Sequence, residues 1–337
     1  MFNENQSLKP FNTFAIDAIS DYFVTIHSID EAKAILLDPI AKKNKIFILG
    51  GGSNILFKSD FHGLIIKNDI KGIETVKEDD EHIWLKIGAG ENWHELVMYC
   101  VANQYAGIEN LSLIPGTVGA APLQNIGAYG VELCSVFDSL EALNIKDAKL
   151  STFNNKDCQF GYRSSIFKQE YKDQFLICTV TLKLFKKAEM NLNYGRVRRT
   201  LDIMGIKKPS LKDVSDAVIQ IRQENLADPS VLPNAGSFFK NPQLSQEDFK
   251  RIEALHPNIP RFPGEHGTIK IPAAWLIQRC GWKGKAHKNV AVFENHALVI
   301  VNHNNASSDE VLELAELIQT SVFEKYGVTI TPEVNII

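Results

Sequence analysis

The chain has 337 residues, of which 45% are hydrophobic and 23% charged, a composition typical of a globular protein with roughly two or three domains. Its 36 basic and 40 acidic residues give a net charge of −4, which argues against a surface that binds nucleic acid or an anionic membrane. No run approaches the ~20 apolar residues of a membrane span, and the N-terminus lacks the basic and apolar regions of a signal peptide.

The five cysteines are odd in number and include no CxxC pair. This usage disfavours a disulfide framework or a zinc site and indicates reduced thiols. We therefore expect a cytoplasmic protein without a bound metal.

Helical and strand patterns alternate irregularly along the chain. In chain order they predict a helix from Ser28 to Leu37 opened by a capping box, a strand at 45–49, strand-like runs at 63–66 and 82–87, an amphipathic helix at 92–102, short strands within 138–187, helices at 213–226, from 245, at 273–280 and at 307–326, and a final strand at 328–336. This order favours an α+β fold with mixed sheets over a doubly wound parallel sheet. The final strand alternates cleanly, and its polar face, which includes Glu333, could line a site.

A glycine loop follows the first predicted strand and consists of Gly50, Gly51, Gly52, Ser53 and Asn54. The GxGxxG pattern of a Rossmann site fails because Ile55 occupies the third glycine position, and the following residues predict a strand where a Rossmann site needs a helix. Two interpretations remain open: a plain tight turn, or a loop whose successive N–H groups bind phosphate.

A second glycine-rich run, residues 114–130, carries almost no charge and is called the wrap segment below. Its glycines let the backbone lie flat against a large ligand, and its apolar residues favour a buried wrap around a cofactor over a surface loop. Gln124 and Asn125 could bond the polar edge of an isoalloxazine ring. The candidate contacts are Ile114, Pro115, Gly116, Thr117, Gly119, Asn125 and Gly127.

Three polar side chains are candidates for chemistry. Ser237 lies in NAGSFFKNP (residues 234–242), where a positioned hydroxyl could give a proton to carbon if nearby charges stabilise the intermediate. Arg163, in FGYRSSIFK (residues 160–168), has a planar, permanently charged fork that suits a carboxylate. Each candidate also has a plain structural interpretation: an ordinary serine, a salt-bridged surface arginine and, for Glu333, an exposed terminal carboxylate.

In their order and spacing, these motifs resemble the UDP-N-acetylenolpyruvoylglucosamine reductase family over nearly the whole chain. The matching segments are NTF (12–14), ILGGGSNILF (48–57), the wrap segment, FGYRSSIFK, NAGSFFKNP, AAWLIQRCGWKG (273–284), NHALVIVN (295–302) and TPEVNII (331–337). The resemblance implies an FAD-binding fold of the vanillyl-alcohol-oxidase type. Its two α+β subdomains would span 1–70 and 71–212, an α+β substrate domain 213–326, and a C-terminal strand that reaches the active site 327–337.

The resemblance also implies an activity and roles for the candidates. The family reduces UDP-N-acetylglucosamine enolpyruvate to UDP-N-acetylmuramate with NADPH, through non-covalently bound FAD, in cytoplasmic peptidoglycan precursor synthesis. The glycine loop would contact the FAD pyrophosphate, and Arg222 would approach the flavin. Ser237 would protonate the substrate, while Arg163 and Glu333 would stabilise an enolic intermediate.

Four further positions match the family's contacts to the UDP group: Tyr194, Asn241, Lys270 and Lys283. Without the resemblance, each lysine would be an ordinary surface residue. The segment LNYG (192–195) indicates the long form of the family. The chain departs from the usual pattern where Asn225 replaces a diphosphate-binding lysine and Ala227 a proline, and Phe262 stands where some members carry a tyrosine. These departures concern substrate affinity more than reaction type.

Two rival functions differ in class from a reductase. One is an oxidase of the same flavin fold that acts on an alcohol with oxygen; the two cofactor loops contain no histidine or cysteine to tether a flavin covalently, which disfavours it. The other is a flavin- or nucleotide-binding sensor without catalysis, which the presence of Arg163, Ser237 and Glu333 disfavours. We expect a monomer that acts on small molecules and binds neither nucleic acid nor membrane.

Overall fold

The computed structural model describes residues 2–187, 190–192 and 194–337 and divides the chain into two compact units. Unit 1 comprises the chain up to Gln6 with Ser20–Gly51 and His62–Arg222, and unit 2 comprises Ser7–Ile19, Gly52–Phe61 and Gln223–Ile337. The glycine loop therefore begins in unit 1 and ends in unit 2. The finer division predicted at residues 70, 212 and 326 stays a prediction.

Strands and helices follow one another irregularly along the chain. Up to residue 187 they are β1 (Asn3–Ser7), β2 (Ile19–Ile26), α1 (Ile29–Leu37), α2 (Pro39–Lys43), β3 (Ile46–Leu49), β4 (Ile55–Leu56), β5 (Phe61–Asn68), β6 (Ile73–Glu78), β7 (His82–Gly88), α3 (Trp93–Ala102), β8 (Gly127–Ala128), β9 (Val131–Glu132), β10 (Phe137–Asn144), β11 (Leu150–Asn154) and β12 (Phe175–Phe185). From residue 194 they are α4 (Gly195–Ile203), α5 (Leu211–Asn225), β13 (Asn234–Ser237), β14 (Gln243–Leu244), α6 (Gln246–Leu255), β15 (Phe262–Pro263), β16 (Ile269–Lys270), α7 (Ala273–Arg279), β17 (Ala286–His287), β18 (Val290–Val292), β19 (Val299–Asn302), α8 (Ser308–Tyr326) and β20 (Asn335–Ile336). No helix among the described residues is long and apolar enough to cross a membrane.

Among the described residues, unit 1 is built on two larger sheets, and β8 and β9 form a small antiparallel pair. The first has the order β1-β2-β5-β3, and its β3 and β5 are parallel. The second has the order β11-β10-β12-β7-β6 and is antiparallel in the register Leu140↔Val180 and Val180↔Ile87. The mixture of parallel and antiparallel pairing confirms the α+β expectation.

Unit 2 is built around an antiparallel sheet of order β13-β19-β18-β17. A smaller antiparallel sheet has the order β14-β16-β15, and β20 pairs in parallel with β4. The long helix α8 buries the face that its sequence predicts: Val311, Leu314, Ala315, Ile318 and Val322. Its Ser307 and Glu310 form a true capping box, and Gly327 ends the helix in the left-handed conformation.

The predicted helices are confirmed, with small corrections at their ends. At α1, the Ser28 hydroxyl accepts a hydrogen bond from the Glu31 N–H at 3.1 Å, as predicted. The Glu31 carboxylate, however, accepts from the His27 N–H at 2.7 Å, one residue before the position that a capping box uses. The cap therefore stabilises the helix start through one half of the predicted motif.

The predicted final strand at 328–336 is wrong in extent, because only Asn335–Ile336 forms a strand. Pro332 has no N–H to donate, which interrupts a regular ladder within this segment. The predicted alternation holds for Val328, Ile330 and Val334, which are buried, whereas Ile336 is 42% exposed.

Candidate active site

The glycine loop has its carbonyls turned toward protein donors. The Lys67 ammonium donates to the Gly50 carbonyl at 2.6 Å, and burial lowers the pKa of Lys67. The Gly52 carbonyl accepts from the Thr13 N–H at 3.1 Å. Within the part of the chain that the structure describes, the N–H groups of Gly51, Gly52 and Ser53 meet no protein acceptor. Consecutive N–H groups of this kind suit a phosphate and favour the second interpretation of the loop.

The start of the wrap segment is held along residues 89–93 by backbone hydrogen bonds. The Gly119 N–H donates to the Ala89 carbonyl at 2.8 Å, and the Trp93 N–H donates to the Gly116 carbonyl at 3.1 Å. Between them, Thr117 forms an antiparallel bridge with Asn92, which also caps helix α3. The first turn of α3 therefore fixes the backbone that is predicted to hold the cofactor.

Glycines bring the glycine loop and the wrap segment into direct contact within unit 1. A Cβ at Gly51 would lie 2.8 Å from the Gly116 Cα, and a Cβ at Gly50 would lie 2.6 Å from the Thr117 Oγ1. Only residues without side chains permit this approach. The two segments that sequence assigns to FAD thus meet as one backbone surface, which fits a flat cofactor with a diphosphate.

Asn125 holds the hairpin that carries Arg163. Its amide donates to the Glu132 carboxylate at 3.0 Å and to the Gly161 carbonyl at 3.3 Å, and its oxygen accepts from the Cys134 N–H at 3.0 Å. Asn125 is 1% exposed and left-handed, so its clearest role in the structure is to support this region. The predicted contact to the flavin ring stays a prediction.

Arg163 lies at the tip of a tight turn closed by two hydrogen bonds between Gly161 and Ser164, each 3.1 Å long. Its φ of +53° is unusual for a residue with a side chain and marks strain of the kind found at functional sites. The guanidinium donates to the Gly127 carbonyl at 2.7 Å and lies 5.4 Å from the centre of the Tyr162 ring. The charge is therefore fixed beside the wrap segment.

Arg222, in the last turn of α5, also reaches the wrap segment. Its Nε donates to the Leu113 carbonyl at 3.2 Å, and its guanidinium bonds the Tyr129 hydroxyl. Burial lowers the pKa of Arg222 and raises that of Tyr129. The Tyr129 ring packs edge-to-face on Tyr194 at 5.4 Å. Tyr194, one of the predicted substrate contacts, is 44% exposed, and Asn193 of the same segment lies outside the described residues.

Ser237 ends a strand with a β-bulge in unit 2. Asn234 pairs with Val301 and Ser237 with Val299, so β13 contains one more residue than its partner over this stretch. Gly236, at φ +71°, supplies the left-handed conformation that the bulge requires. Such a bulge changes the face to which the following side chain points, and Ser237 stays partly exposed while Phe238 is buried.

The C-terminal segment lies directly beside Ser237. The Glu333 N–H donates to the Phe238 carbonyl at 2.7 Å, and the Lys240 N–H donates to the Thr331 carbonyl at 2.9 Å. The structure therefore brings Ser237 and the backbone of Glu333 together within unit 2. Arg163 belongs to unit 1, and its part in the same chemistry stays a prediction.

The other predicted substrate residues lie on separate elements of unit 2. The Asn241 side chain accepts from the Ala273 N–H at 2.9 Å, which supports the start of α7. Lys270 lies on the central strand of the small sheet, where it pairs with Gln243 and Phe262. Lys283 is exposed in the turn after α7. Their contacts to a UDP group stay predictions.

Sequence reasoning missed several supporting residues. Thr13 donates from its hydroxyl to the Asn234 carbonyl at 2.7 Å, so it joins the glycine loop to the strand of Ser237. It lies in the NTF segment, which was a usable signal. Lys67 and His94 gave no signal, because their roles depend on backbone groups far away in sequence.

The chain is similar to known proteins along its whole length. Residues 20–153 match the family model described as FAD binding domain, and residues 228–337 match UDP-N-acetylenolpyruvoylglucosamine reductase, C-terminal domain. A protein named UDP-N-acetylenolpyruvoylglucosamine reductase from Flavobacterium johnsoniae is 47% identical over 99% of this chain and 98% of its own length. One of the same name from Amoebophilus asiaticus is 50% identical, with the same coverage.

A solved structure shows the same fold. The crystal structure of UDP-N-acetylenolpyruvylglucosamine reductase from Thermus caldophilus matches with a TM-score of 0.69 over 100% of this chain and 99% of that chain, at 21% identity. Together with the FAD-binding model, this likeness confirms the predicted α+β fold of the vanillyl-alcohol-oxidase type.

Proposed function

The chain belongs to the UDP-N-acetylenolpyruvoylglucosamine reductase family, and we propose that it reduces UDP-N-acetylglucosamine enolpyruvate to UDP-N-acetylmuramate with NADPH, using non-covalently bound FAD. The reaction is a step in the synthesis of peptidoglycan precursors. The observation that carries the proposal is the bulged strand that presents Ser237, bonded next to the segment that presents Glu333.

Each residue of the proposed mechanism has a defined task. FAD, when bound, supplies hydride transfer from NADPH to the terminal carbon of the enolpyruvyl double bond. The Ser237 hydroxyl gives its proton to the adjacent carbon. Addition of hydride leaves an enolate whose carbon beside the carboxylate is basic enough to take a proton from a serine. The Arg163 guanidinium binds the substrate carboxylate, and together with Glu333 it stabilises this enolic intermediate. The glycine loop and the wrap segment hold the cofactor through backbone groups.

The substrate's UDP group is proposed to bind Tyr194, Asn241, Lys270 and Lys283. The two lysines supply compact positive charges for a diphosphate, and the exposed Tyr194 ring supplies an apolar face. The domain division at residues 70, 212 and 326 belongs to the same proposal. The boundary at residue 212 is supported by the gap between the matched ranges, residues 20–153 of the FAD binding domain and residues 228–337 of the family's C-terminal domain, whereas the boundaries at 70 and 326 fall inside those ranges.

We also propose that the protein works as a monomer in the cytoplasm and binds no nucleic acid. All five cysteines carry free thiols, in keeping with a reducing compartment. The net charge of −4 gives no general attraction to nucleic acid.

The function is tested by following flavin absorbance under anaerobic conditions. We expect the purified protein to show a flavin band near ~450 nm that bleaches with NADPH and returns when UDP-N-acetylglucosamine enolpyruvate is added. Bleaching without recovery would mean that the protein is a flavoenzyme reduced by NADPH but does not act on this substrate. A protein that cannot be loaded with FAD would overturn the proposal.

The role of Ser237 is tested by stopped-flow measurement of the two half-reactions. Ser237→Ala should leave flavin reduction by NADPH largely intact and slow reoxidation by the substrate by roughly 100- to 10,000-fold, because only the second step needs the proton. Ser321→Ala, which removes an exposed hydroxyl bonded to the Leu317 carbonyl within α8, is the matched control. Equal slowing of both half-reactions would exclude Ser237 as the proton donor.

A further inference from the structure

The peptide of Leu113, which directly precedes the wrap segment, is held from both sides by side chains. The Leu113 N–H donates to the His94 Nδ1 at 3.0 Å, and the Leu113 carbonyl accepts from the Arg222 Nε at 3.2 Å. His94 lies in the first turn of α3, and Arg222 lies in the last turn of α5. Two helices distant in sequence thus fix one peptide of the loop.

Leu113 has a φ of +57°, a left-handed conformation that is unfavourable for a residue with a branched side chain. Such a conformation persists where the surroundings impose it. From Gly116 onward, the loop is instead held by backbone bonds to residues 89–93, so His94 and Arg222 act at its entrance. The direction in which the chain enters the cofactor-binding loop therefore depends on these two side chains.

The bond from Leu113 requires the neutral form of His94, with its proton on Nε2, because Nδ1 acts as the acceptor. A protonated imidazole would turn an N–H toward another N–H. Burial and the nearby Arg222 lower the pKa of His94, which Glu95 partly opposes. The second carboxylate of this region, the buried Glu109 on the short 3₁₀ turn packed against α3, accepts from the Gly107 N–H at 2.7 Å.

We propose that His94 is a positioning residue for the cofactor: as a neutral imidazole, and together with Arg222, it fixes the Leu113 peptide so that residues 114–119 are shaped to receive FAD. This inference rests on the proposed function, because it takes FAD as the ligand of the loop. It adds a residue outside both glycine-rich segments to the cofactor site and makes FAD affinity depend on pH.

The sign of that dependence follows from the lowered pKa. The neutral form and its hydrogen bond are fully present above the ordinary histidine value of 6.5, and are lost as the pH falls through the lower value of the folded protein. FAD binding should therefore weaken on the acid side. Protonation of one group can weaken FAD affinity by at most about tenfold for each pH unit below its pKa.

The test measures the dissociation constant of FAD from the fluorescence of flavin released on dilution of the holoprotein, between about pH 5.5 and 8. His94→Ala removes the acceptor and should weaken FAD binding roughly tenfold at pH 8, because a backbone N–H loses its partner. His94→Asn is the rescue variant, since its amide oxygen can take the place of Nδ1 and does not titrate. His62→Ala removes an imidazole of unit 1 whose side chain is 84% exposed, and is the control.

We expect His94→Asn to bind FAD within about threefold of the parent at pH 8 and to lose most of the parent's weakening at acid pH. The inference is overturned if His94→Asn keeps the parent's pH dependence, or if His94→Ala binds FAD as tightly as the parent. A parent protein that binds no FAD at any pH would instead overturn the proposed function. The melting temperatures of the FAD-free variants distinguish two causes of weak binding. A much lower melting temperature indicates a damaged fold, whereas an unchanged one indicates a change confined to the loop.

Discussion

Gly51→Ala tests whether the glycine loop and the wrap segment must touch. The new Cβ would lie 2.8 Å from the Gly116 Cα and 3.3 Å from the Gly116 carbonyl carbon. Both are backbone atoms, so no rotation of a side chain relieves the contact, and the two loops must separate by roughly half an ångström. Overpacking of this size costs about 1–3 kcal/mol.

Because the two loops form one surface, most of that cost should fall on the cofactor. FAD affinity should then drop between about fivefold and 150-fold. Gly50→Ala is a milder companion, since its Cβ meets the Thr117 Oγ1, which belongs to a side chain. Gly195→Ala is the control for fold and FAD binding, because its Cβ would have no described neighbour within 4 Å.

The assay is the dissociation constant of FAD for the three variants, together with the melting temperature of each in the absence of FAD. We expect the order of affinity to be Gly195→Ala above Gly50→Ala above Gly51→Ala. A Gly51→Ala protein that binds FAD as tightly as Gly195→Ala would refute the claim that the close approach of the loops shapes the cofactor site.

Two further predictions concern the substrate half-reaction. Asn225→Lys, which restores the cation usual in the family, should lower the Michaelis constant for the UDP substrate; an unchanged constant would mean that another cation already serves the diphosphate. Gly236→Ala should cost about 1–2 kcal/mol through its φ of +71°, since its Cβ would meet no described atom within 4 Å. It should slow flavin reoxidation more than flavin reduction in stopped-flow traces. A variant with a lower melting temperature but unchanged rates of both half-reactions would contradict a role of Gly236 in orienting Ser237.

The sequence pattern correctly predicted those parts of the fold whose conformation depends on residues close in sequence. Helix α3 follows from its apolar spacing and from the Asn92 cap, whose side chain accepts from the His94 and Glu95 N–H groups. The glycine loop was recognised as non-Rossmann because a strand pattern follows it, and β4 indeed begins at Ile55. In both cases the information lies within a few residues.

Long-range contacts could not be predicted in this way. The bond from Leu113 to His94 joins residues 19 positions apart, and the bond from Arg222 to Leu113 spans 109 positions. Asn125 shows the same limit, because its residue type gave no sign that its amide holds Gly161 and Glu132. Residue type alone does not say which partner a polar side chain meets.

The C-terminal segment shows how Glu333, whose catalytic role is proposed, can be placed by backbone bonds alone. Thr331 accepts from Lys240, Glu333 donates to Phe238, and Asn335 donates to Asn54. All three contacts use backbone groups of alternate residues, so they fix the register of the segment whatever its side chains are. Because side chains alternate along an extended chain, a slip of one residue would turn Glu333 toward the core side occupied by Val334. The register of the segment therefore determines the side to which Glu333 points. The bulge at Gly236 determines in the same way the side to which Ser237 points.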